Sequence, residues 1–225
     1  MEQRVIAIDG PVASGKSTLS RRIAKHFGII YVDTGALYRC IALYALRNNV
    51  DPANAEEISA LLPELNIELK YDDEGVQRMF LQNEDVTDDI RIPEVSMGAS
   101  TVSAIPAVRD FLLDTQRNLA AKSDVIMDGR DIGTVVLPNA GLKVFMLADP
   151  RVRAKRRLLE LLEKNIETTF DEVFQDVMLR DKNDSEREVA PLKPADDSIM
   201  LDTTDLSFDE SFEALCNLIS RRFKS

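Results

Sequence analysis

Short, almost continuous apolar runs recur along the chain, and five of them end at an aspartate. They are VIAID at Asp9, IIYVD at Asp33, VIMD at Asp128, KVFMLAD at Asp149 and IMLD at Asp202. Continuous hydrophobicity, rather than alternation, is typical of strands covered on both faces, as in a parallel sheet. Helical patterns separate most of these runs, over residues 17–27, 36–47, 107–121, 151–164 and 208–222. The sequence therefore predicts a doubly wound α/β core, with a five-stranded parallel sheet and helices on both faces.

The aspartates that close these runs fall where such sheets bind ligands, beyond the carboxyl ends of the strands. Not every one needs a ligand. Asp149 stands before Pro150, a pattern typical of a residue that caps the next helix or starts a turn. We expect Asp149 and Asp202 to be structural.

Residues 48–106 break this rhythm, because the interval is too long for an ordinary connection. The pattern predicts a helix over 53–62, alternating strands over 66–71 and 77–82 around a turn at 72–75, and a short strand or turn over 83–86. This indicates a small antiparallel sheet inserted between the second and third core strands. It could be a flap over a substrate or a subdomain without chemistry, and composition does not choose between the two.

The segment GPVASGKS, residues 10–17, follows the first predicted strand and matches the phosphate-binding loop G-x-x-x-x-G-K-[ST]. Glycines let backbone N–H groups converge on phosphate oxygens, and the following helix directs its positive end at the same anion. Lys16 is placed to reach the β- and γ-phosphates, and the Ser17 hydroxyl to bind Mg²⁺. A chance glycine turn is the alternative, but strand, loop, Lys-Ser and helix stand in the required order. The expected triphosphate-binding residues are Gly10, Pro11, Val12, Ala13, Ser14, Gly15, Lys16, Ser17 and Thr18.

The charge balance limits the kinds of partner. The 225 residues include 28 Lys and Arg against 39 Asp and Glu, for a net charge of −11. This argues against a protein held on nucleic acid or on an anionic membrane by its overall field, so anion-binding side chains must be concentrated locally. Cys40 and Cys216 are expected to be unpaired, and His26, at the end of a helix, is not expected to be catalytic. Without a signal-peptide pattern or a membrane-spanning run, a cytoplasmic protein is expected.

Three polar segments are candidates for the chemistry: DTGALYR at 33–39, DGRDIGT at 128–134 and RDKNDSER at 180–187. The first two each place an arginine just after a core strand. Arginine suits phosphate because its planar fork donates two parallel hydrogen bonds and keeps its charge. Near a triphosphate loop, two such arginines predict a second, phosphorylated substrate. The third segment could equally be a solvated helix face with i,i+4 ion pairs.

The phosphate-binding loop GPVASGKST and these three segments, together with GASTVSAIPAVR and REVAPL, resemble the bacterial cytidylate kinases in order and spacing over nearly the whole chain. The resemblance implies a single kinase domain over 1–225, with a nucleoside-monophosphate-binding insert at about 48–106 and a lid at about 150–190. It also implies transfer of the γ-phosphoryl group of ATP, with Mg²⁺, to CMP or dCMP, in a monomer that binds neither nucleic acid nor membrane.

The resemblance also implies roles for individual residues, according to their positions in the shared motifs. The resemblance implies that Thr34, Arg39 and Arg130 hold the acceptor phosphate with Tyr38 beside them, and that Ser100, Arg109 and Asp131 contact the cytosine. Arg180, Asp184 and Arg187 would contact the ribose and the phosphates. The residues expected to act in catalysis are Lys16, Arg39, Arg130, Arg180 and Arg187. Thr34 stands where many relatives have serine, and 184–187 carry fewer arginines than relatives often do.

The chemistry of cytosine is consistent with this assignment. A carboxylate such as Asp131 accepts from the exocyclic amine, and an arginine such as Arg109 donates to N3 or O2. Uracil would face Asp131 with a carbonyl oxygen, at a cost of about 1–3 kcal/mol. Arg109 could instead be a helix-surface arginine.

Other classes of protein begin with the same loop. A GTP-binding switch would carry N-K-x-D after a late strand, whereas the string at 182–184 here is Lys-Asn-Asp, in the wrong order. A non-catalytic P-loop module would not need the two strand-end arginines. The remaining alternative is a monophosphate kinase with another base preference.

Overall fold

The core of the protein is one parallel sheet of five strands. In this computed structural model, which describes residues 3–223, the strands are β1 (Val5–Asp9), β2 (Ile30–Asp33), β6 (Val125–Gly129), β7 (Leu142–Leu147) and β8 (Ile199–Asp202). They lie in the order β2-β6-β1-β7-β8, and every neighbouring pair is parallel. The predicted parallel sheet is confirmed.

Helices cover both faces of this sheet. Their bounds are α1 (Lys16–Phe27), α2 (Thr34–Arg47), α3 (Ala55–Leu61), α4 (Pro93–Val102), α5 (Pro106–Ala121), α6 (Pro150–Glu163), α7 (Phe170–Glu186) and α8 (Phe208–Arg222). Alternate residues of β1 face opposite layers, because successive side chains of a strand point to opposite sides. Ile6 and Ile8 pack with α1 and α8, whereas Ala7 packs with α5 and with a π-helical turn at Ile132–Val136. The runs of β1, β2, β6 and β7 are therefore buried from two sides, as their composition predicts. The run of the edge strand β8 is not, since Ile199 and Met200 are exposed.

The insert has a small antiparallel sheet of its own. Strands β3 (Ile67–Tyr71), β4 (Gln77–Leu81) and β5 (Glu84–Asp85) pair in sequence order, and α3 precedes them. These elements confirm the predicted ones to within two residues at each end. Helix α4, which follows them, was not predicted from the sequence.

The insert is attached to the core at the end of β2. The phenolic hydroxyl of Tyr71 donates to the carbonyl of Tyr31 at 2.8 Å, and the side-chain oxygen of Gln77 accepts from the backbone N–H of Asp33 at 2.8 Å. The interior of the insert is continuous with the apolar faces of α2, α4 and α5. The insert therefore forms one side of the space beyond the carboxyl ends of the core strands.

Asp149 and Asp202 have structural roles, as expected from the sequence. The Asp149 carboxylate accepts from the N–H of Arg151 at 2.7 Å and caps α6, and Asp202 accepts from Thr204. Both cysteines are free, with Cys40 buried. No helix within residues 3–223 is long and apolar enough to cross a membrane.

Candidate active site

A cleft of about 570 Å³ lies beyond the carboxyl ends of β1, β2 and β6. The phosphate-binding loop, α2, the insert, α5 and α7 each contribute to its walls. The cleft brings together nearly all residues selected from the sequence: Val12, Ala13, Ser14, Gly15, Lys16, Ser17, Thr18, Thr34, Tyr38, Arg39, Ser100, Arg109, Arg130, Asp131, Arg180, Asp184 and Arg187. Its cationic side chains are the local concentration of positive charge that a protein of net charge −11 requires to bind anions.

The loop itself has the geometry of an anion site. Gly10 approaches β7 so closely that a Cβ there would lie 2.4 Å from the carbonyl oxygen of Met146. Gly15 takes the left-handed conformation, with φ 86°, and α1 begins at the next residue. The hydroxyl of Ser14 is buried and has no hydrogen-bond partner among the described residues. Buried polar atoms are normally paired, so this hydroxyl is available to a ligand.

Lys16 lies buried inside this loop, with its ammonium donating to the carbonyl of Pro11 at 3.0 Å. Burial, followed by repulsion from Arg130, lowers the pKa of Lys16 to about 7. The environment thus disfavours the positive charge in the absence of a bound anion. An anionic ligand in the loop would favour the charged form.

Ser17, at the start of α1, and Asp128, near the end of β6, bring two oxygen-bearing side chains together. The Ser17 hydroxyl donates to the Asp128 carboxylate at 2.6 Å, and the other carboxylate oxygen accepts from the Tyr31 hydroxyl at 3.1 Å. Burial and the nearby Asp33 carboxylate raise the pKa of Asp128. The sequence placed Asp128 at the end of its strand without a role. Its contact with Ser17 depends on the neighbouring positions of β1 and β6 in the sheet.

Asp9 holds the turn that follows β6. Its carboxylate accepts from the N–H groups of Ile132 and Gly133 at 2.8 and 2.7 Å. Burial raises the pKa of Asp9 to about 6 against the opposing effect of these hydrogen bonds. Because Gly10 follows Asp9 and Asp131 precedes Ile132, this carboxylate connects the phosphate-binding loop with the opposite side of the cleft.

A second group of charges lies at the end of β2. Asp33 caps α2 through the N–H of Ala36, and its carboxylate lies 3.5 Å from Arg39 and 2.9 Å from Arg91. The hydroxyl of Thr34 donates to the carbonyl of Asp128 at 2.8 Å, so it is engaged in the fold. Arg91 belongs to the insert and was missed at the sequence level, because its surroundings match no motif.

A third group lies between α5 and the turn after β6. Arg109 and Arg187 both pair with the Asp131 carboxylate, the latter at 3.3 Å. The Arg109 guanidinium also lies 5.7 Å from the centre of the Tyr38 ring, so Tyr38 contacts this group. Arg109 is buried and is not the helix-surface residue that the sequence left as an alternative.

The sequence left open whether the charge-rich segment at the end of α7 takes part in the site or forms a solvated helix face. The structure shows residues of both kinds. Asp184 is buried, pairs with Arg130 at 2.6 Å and accepts from the hydroxyl of Ser100 at 3.4 Å. Arg180 is also buried, and burial and the charge of Arg130 lower its pKa to about 10. Lys182 and Glu186, by contrast, form an exposed i,i+4 pair at 4.0 Å. One side of the helix therefore faces the cleft and the other faces solvent.

Comparison with known proteins agrees with this geometry. The family model described as cytidylate kinase matches residues 6–221. The cytidylate kinase of Caldicellulosiruptor bescii is 46% identical over 225 residues, covering 100% of this chain and 99% of that protein. The cytidylate kinase of Lactobacillus johnsonii is 45% identical over 220 residues, covering 98% of this chain and 95% of that protein.

Among solved structures, an uncharacterized protein from Eubacterium ventriosum matches with a TM-score of 0.53 and 16% identity, covering 98% of this chain and 100% of that one. At that identity the likeness concerns the fold alone. The family model and the two relatives each span almost the whole chain, and they agree with the motifs that line the cleft. The chain belongs to the cytidylate kinase family.

Proposed function

We propose that this protein transfers the γ-phosphoryl group of ATP to CMP and dCMP. The observation that carries the proposal is that the phosphate-binding loop and the arginines at the ends of β2 and β6 open onto one cleft. Phosphoryl transfer needs little covalent participation by the protein. It needs two substrates held in line and the charge on the moving group neutralised.

The donor half of the site is the loop from Gly10 to Thr18. Its backbone N–H groups and the start of α1 would hold the phosphates of ATP, and the ammonium of Lys16 would lie against the β- and γ-phosphates. The Lys16 pKa of about 7 supports this role, since a bound polyanion would restore the full positive charge.

Mg²⁺ fits the oxygen ligands at the start of α1. The Ser17 hydroxyl and the Asp128 carboxylate lie 2.6 Å apart, and both are hard donors of the kind that Mg²⁺ prefers. Mg²⁺ commonly uses one or two protein oxygens, with water and substrate phosphates completing its shell. The ion would neutralise charge on the β- and γ-phosphates, and Ser17 and Asp128 would hold it there.

The acceptor phosphate would lie among Arg39, Arg91 and Arg130. Arg91 is added to the set expected from the sequence, because its guanidinium shares the Asp33 carboxylate with Arg39. Arg130 is held by Asp184, and both line the cleft. Arg180 and Arg187, from the end of α7, would complete the positive surroundings of the transferred group and contact the ribose.

The base would be read by Asp131, Arg109 and Ser100. In the free protein Arg109 and Asp131 hold each other, and each presents a group complementary to one edge of cytosine. Cytosine would take up the same hydrogen bonds through its amine and its ring acceptors. Arg187, which pairs with Asp131 and reaches the Ser103 hydroxyl at 3.1 Å, would hold Asp131 in place.

The organisation of the domain follows from the same assignment. Residues 48–106 would act as the nucleoside-monophosphate-binding insert and residues 150–190 as the lid of one kinase domain. The net charge of −11 supports a protein that binds neither nucleic acid nor membrane, and the two free cysteines support a cytoplasmic location. With this activity the protein would be a monomeric enzyme of pyrimidine nucleotide metabolism.

A coupled ADP-release assay tests the proposal, with CMP, dCMP, UMP, AMP, dTMP and shikimate as acceptors. CMP and dCMP should give the largest kcat/KM. Lys16→Ala should abolish transfer while the fold is retained, because the ammonium contributes several kcal/mol to stabilising the transferred group. Preference for another monophosphate would reassign the base, and near-normal turnover of folded Lys16→Ala would remove Lys16 from its role.

A further inference from the structure

Arg153, on α6, is buried behind the phosphate-binding loop and joins three parts of the protein. Its guanidinium donates to the carbonyl of Ala148 at 2.9 Å, to the carbonyl of Val12 at 2.9 Å and to the carboxylate of Asp181 at 2.5 Å. Its side chain is only 3% exposed. The three acceptors belong to the residue that follows β7, to the loop and to α7. The proposed chemistry gives this residue no part.

The contact with Val12 fixes a peptide group of the loop. The peptide between Val12 and Ala13 is trans, so its N–H points opposite to the carbonyl that Arg153 holds. Ala13 has a φ of 55°, a left-handed conformation that is unfavourable for an alanine. Such a conformation persists only where the surroundings enforce it. The guanidinium of Arg153 is the charged group that holds this peptide.

We infer that Arg153 is a positioning residue for the donor site: by holding the Val12 carbonyl, it sets the direction of the Ala13 N–H toward the phosphates of ATP. Arg153 itself does not need to touch the nucleotide. The inference rests on the proposed function, since it takes the loop to be the ATP site.

Asp181 fixes the guanidinium and brings α7 into the arrangement. Asp181 lies between Arg180 and the segment that carries Asp184, both of which face the cleft. Apolar contacts of Val12 and Ala154 with Val173 and Val177 also join the loop, α6 and α7. Movement of α7 would therefore be transmitted through Asp181 and Arg153 to the loop.

Overall stability is a poor test of this role, because Arg153→Met leaves the Asp181 carboxylate without its cation and would lower the Tm whether or not Arg153 acts on the ATP site. Nucleotide affinity is a better one. Titration calorimetry would measure ATP binding with Mg²⁺ in the absence of acceptor, and CMP binding in the absence of ATP. The variants are Arg153→Met, Arg153→Lys and Asp181→Asn.

Arg156→Met is the matched control. Arg156 lies on the same helix and also binds a backbone carbonyl, that of Thr203 at 2.7 Å, on the β8 side of the helix. Arg153→Met should weaken ATP binding by about tenfold or more and leave CMP binding within about twofold. Arg153→Lys, which keeps the charge but cannot reach all three acceptors, should be intermediate. Asp181→Asn should shift ATP binding in the same direction by less, and Arg156→Met should shift neither nucleotide.

Two results would overturn the inference. One is folded Arg153→Met that binds ATP as the wild type does. The other is an equal loss of ATP and CMP affinity with a lower Tm, which would make Arg153 a general structural residue. If Arg153→Met does not fold, unchanged ATP affinity in both Arg153→Lys and Asp181→Asn would overturn it instead. Failure of the wild type to bind ATP would contradict the proposed function, and is distinguishable from these results.

Discussion

Arg91 extends from the insert to Asp33 at the end of β2, where the two charged groups lie 2.9 Å apart. Arg39, on α2 of the core, lies 3.5 Å from the same carboxylate. Burial alone would raise the pKa of Asp33, but Arg39 and Arg91 overcome this effect and hold the pKa at about 2. An ionised carboxylate thus brings together two arginines from separate parts of the chain, at the place proposed for the acceptor phosphate.

The first prediction concerns these arginines. Methionine at position 39, 91 or 130 should raise the KM for CMP and lower kcat, because the phosphate must be both bound and aligned. Loss of one charge-assisted contact should lower kcat/KM by about tenfold or more. The KM for ATP should change little. Steady-state kinetics with each substrate varied in turn would measure kcat and the separate KM values for CMP and ATP.

Arg47→Met is the control for this series. Arg47 ends α2 and pairs with Glu84 and Asp89 on the surface of the insert. The Arg47→Met variant tests whether the loss of an arginine that contacts the insert outside the cleft is enough to impair the enzyme. An increase confined to the KM for ATP would mean that Arg39, Arg91 and Arg130 have been assigned to the wrong substrate.

The second prediction is that the insert responds to the acceptor and not to ATP. Gln77 and Arg91 join the insert to the core through their contacts with Asp33. A phosphate bound to Arg91 would therefore act directly on the connection between the insert and the core. Closure of the insert would exclude water, which otherwise competes as phosphoryl acceptor. Hydrogen exchange should show added protection over residues 77–105 with CMP. ATP alone should protect the phosphate-binding loop and α7.

If Lys16→Ala is inactive as expected, that variant allows both nucleotides to be present without turnover in the same experiment. Protection by CMP that leaves residues 77–105 unchanged would mean that the insert is a fixed wall of the cleft rather than a moving part.

The third prediction is a pH dependence of stability caused by Asp9. Its pKa is about 6 in the folded protein, against an ordinary value of 3.8, so the native state holds a proton that the unfolded chain has already lost between these values. Stability from this group is complete below about pH 4 and is lost as the pH rises through about 6. The loss is on the order of 3 kcal/mol.

Asp9→Asn removes this titration. Urea unfolding at a series of pH values should therefore show that the difference in free energy between wild type and Asp9→Asn changes over pH 4–6 in the direction of a less stable wild type at higher pH. A constant difference across that range would mean that Asp9 titrates normally in the folded protein.

The core could be predicted from the sequence because its signals are local. Buried strands appear as uninterrupted apolar runs, and the phosphate-binding loop is specified by contiguous residues. Helix α4 could not be predicted in this way. It contains Gly98 and several β-branched residues, and Gly98 packs closely against α2, since a Cβ there would lie 3.2 Å from that of Ala42. Its stability comes from tertiary contacts rather than from intrinsic propensity.

The start of helix α7 has a local signal in the sequence. Thr169 and Glu172 form a capping box in the structure, and the spacing T-x-x-E is visible in the sequence. The pairings across the cleft had no such signal. Ser17 meets Asp128, and Arg130 meets Asp184, only because the order of the sheet and the position of α7 bring distant segments together. Residue types in the site were therefore predictable, whereas their partners were not.

The last prediction is base selection by Asp131. Asp131→Asn replaces a carboxylate that only accepts hydrogen bonds with an amide whose NH₂ can face a carbonyl oxygen. The kcat/KM for CMP should fall, while that for UMP should fall less or rise. The ratio should shift by about tenfold or more, which corresponds to about 1.4 kcal/mol for one polar contact. The measurement is kcat/KM for both acceptors at saturating ATP.

The ratio, rather than either rate, is the decisive quantity, because Asp131 also holds Arg109 and Arg187. Its neutralisation leaves two buried cations with less compensation, so we expect a lower Tm and a loss of activity common to both acceptors. Such a common loss cancels in the ratio, since both nucleotides need the same aligned arginines. If CMP and UMP lose activity in equal proportion, Asp131 serves only to hold these arginines, and selection of the base must come from Ser100 and Arg109.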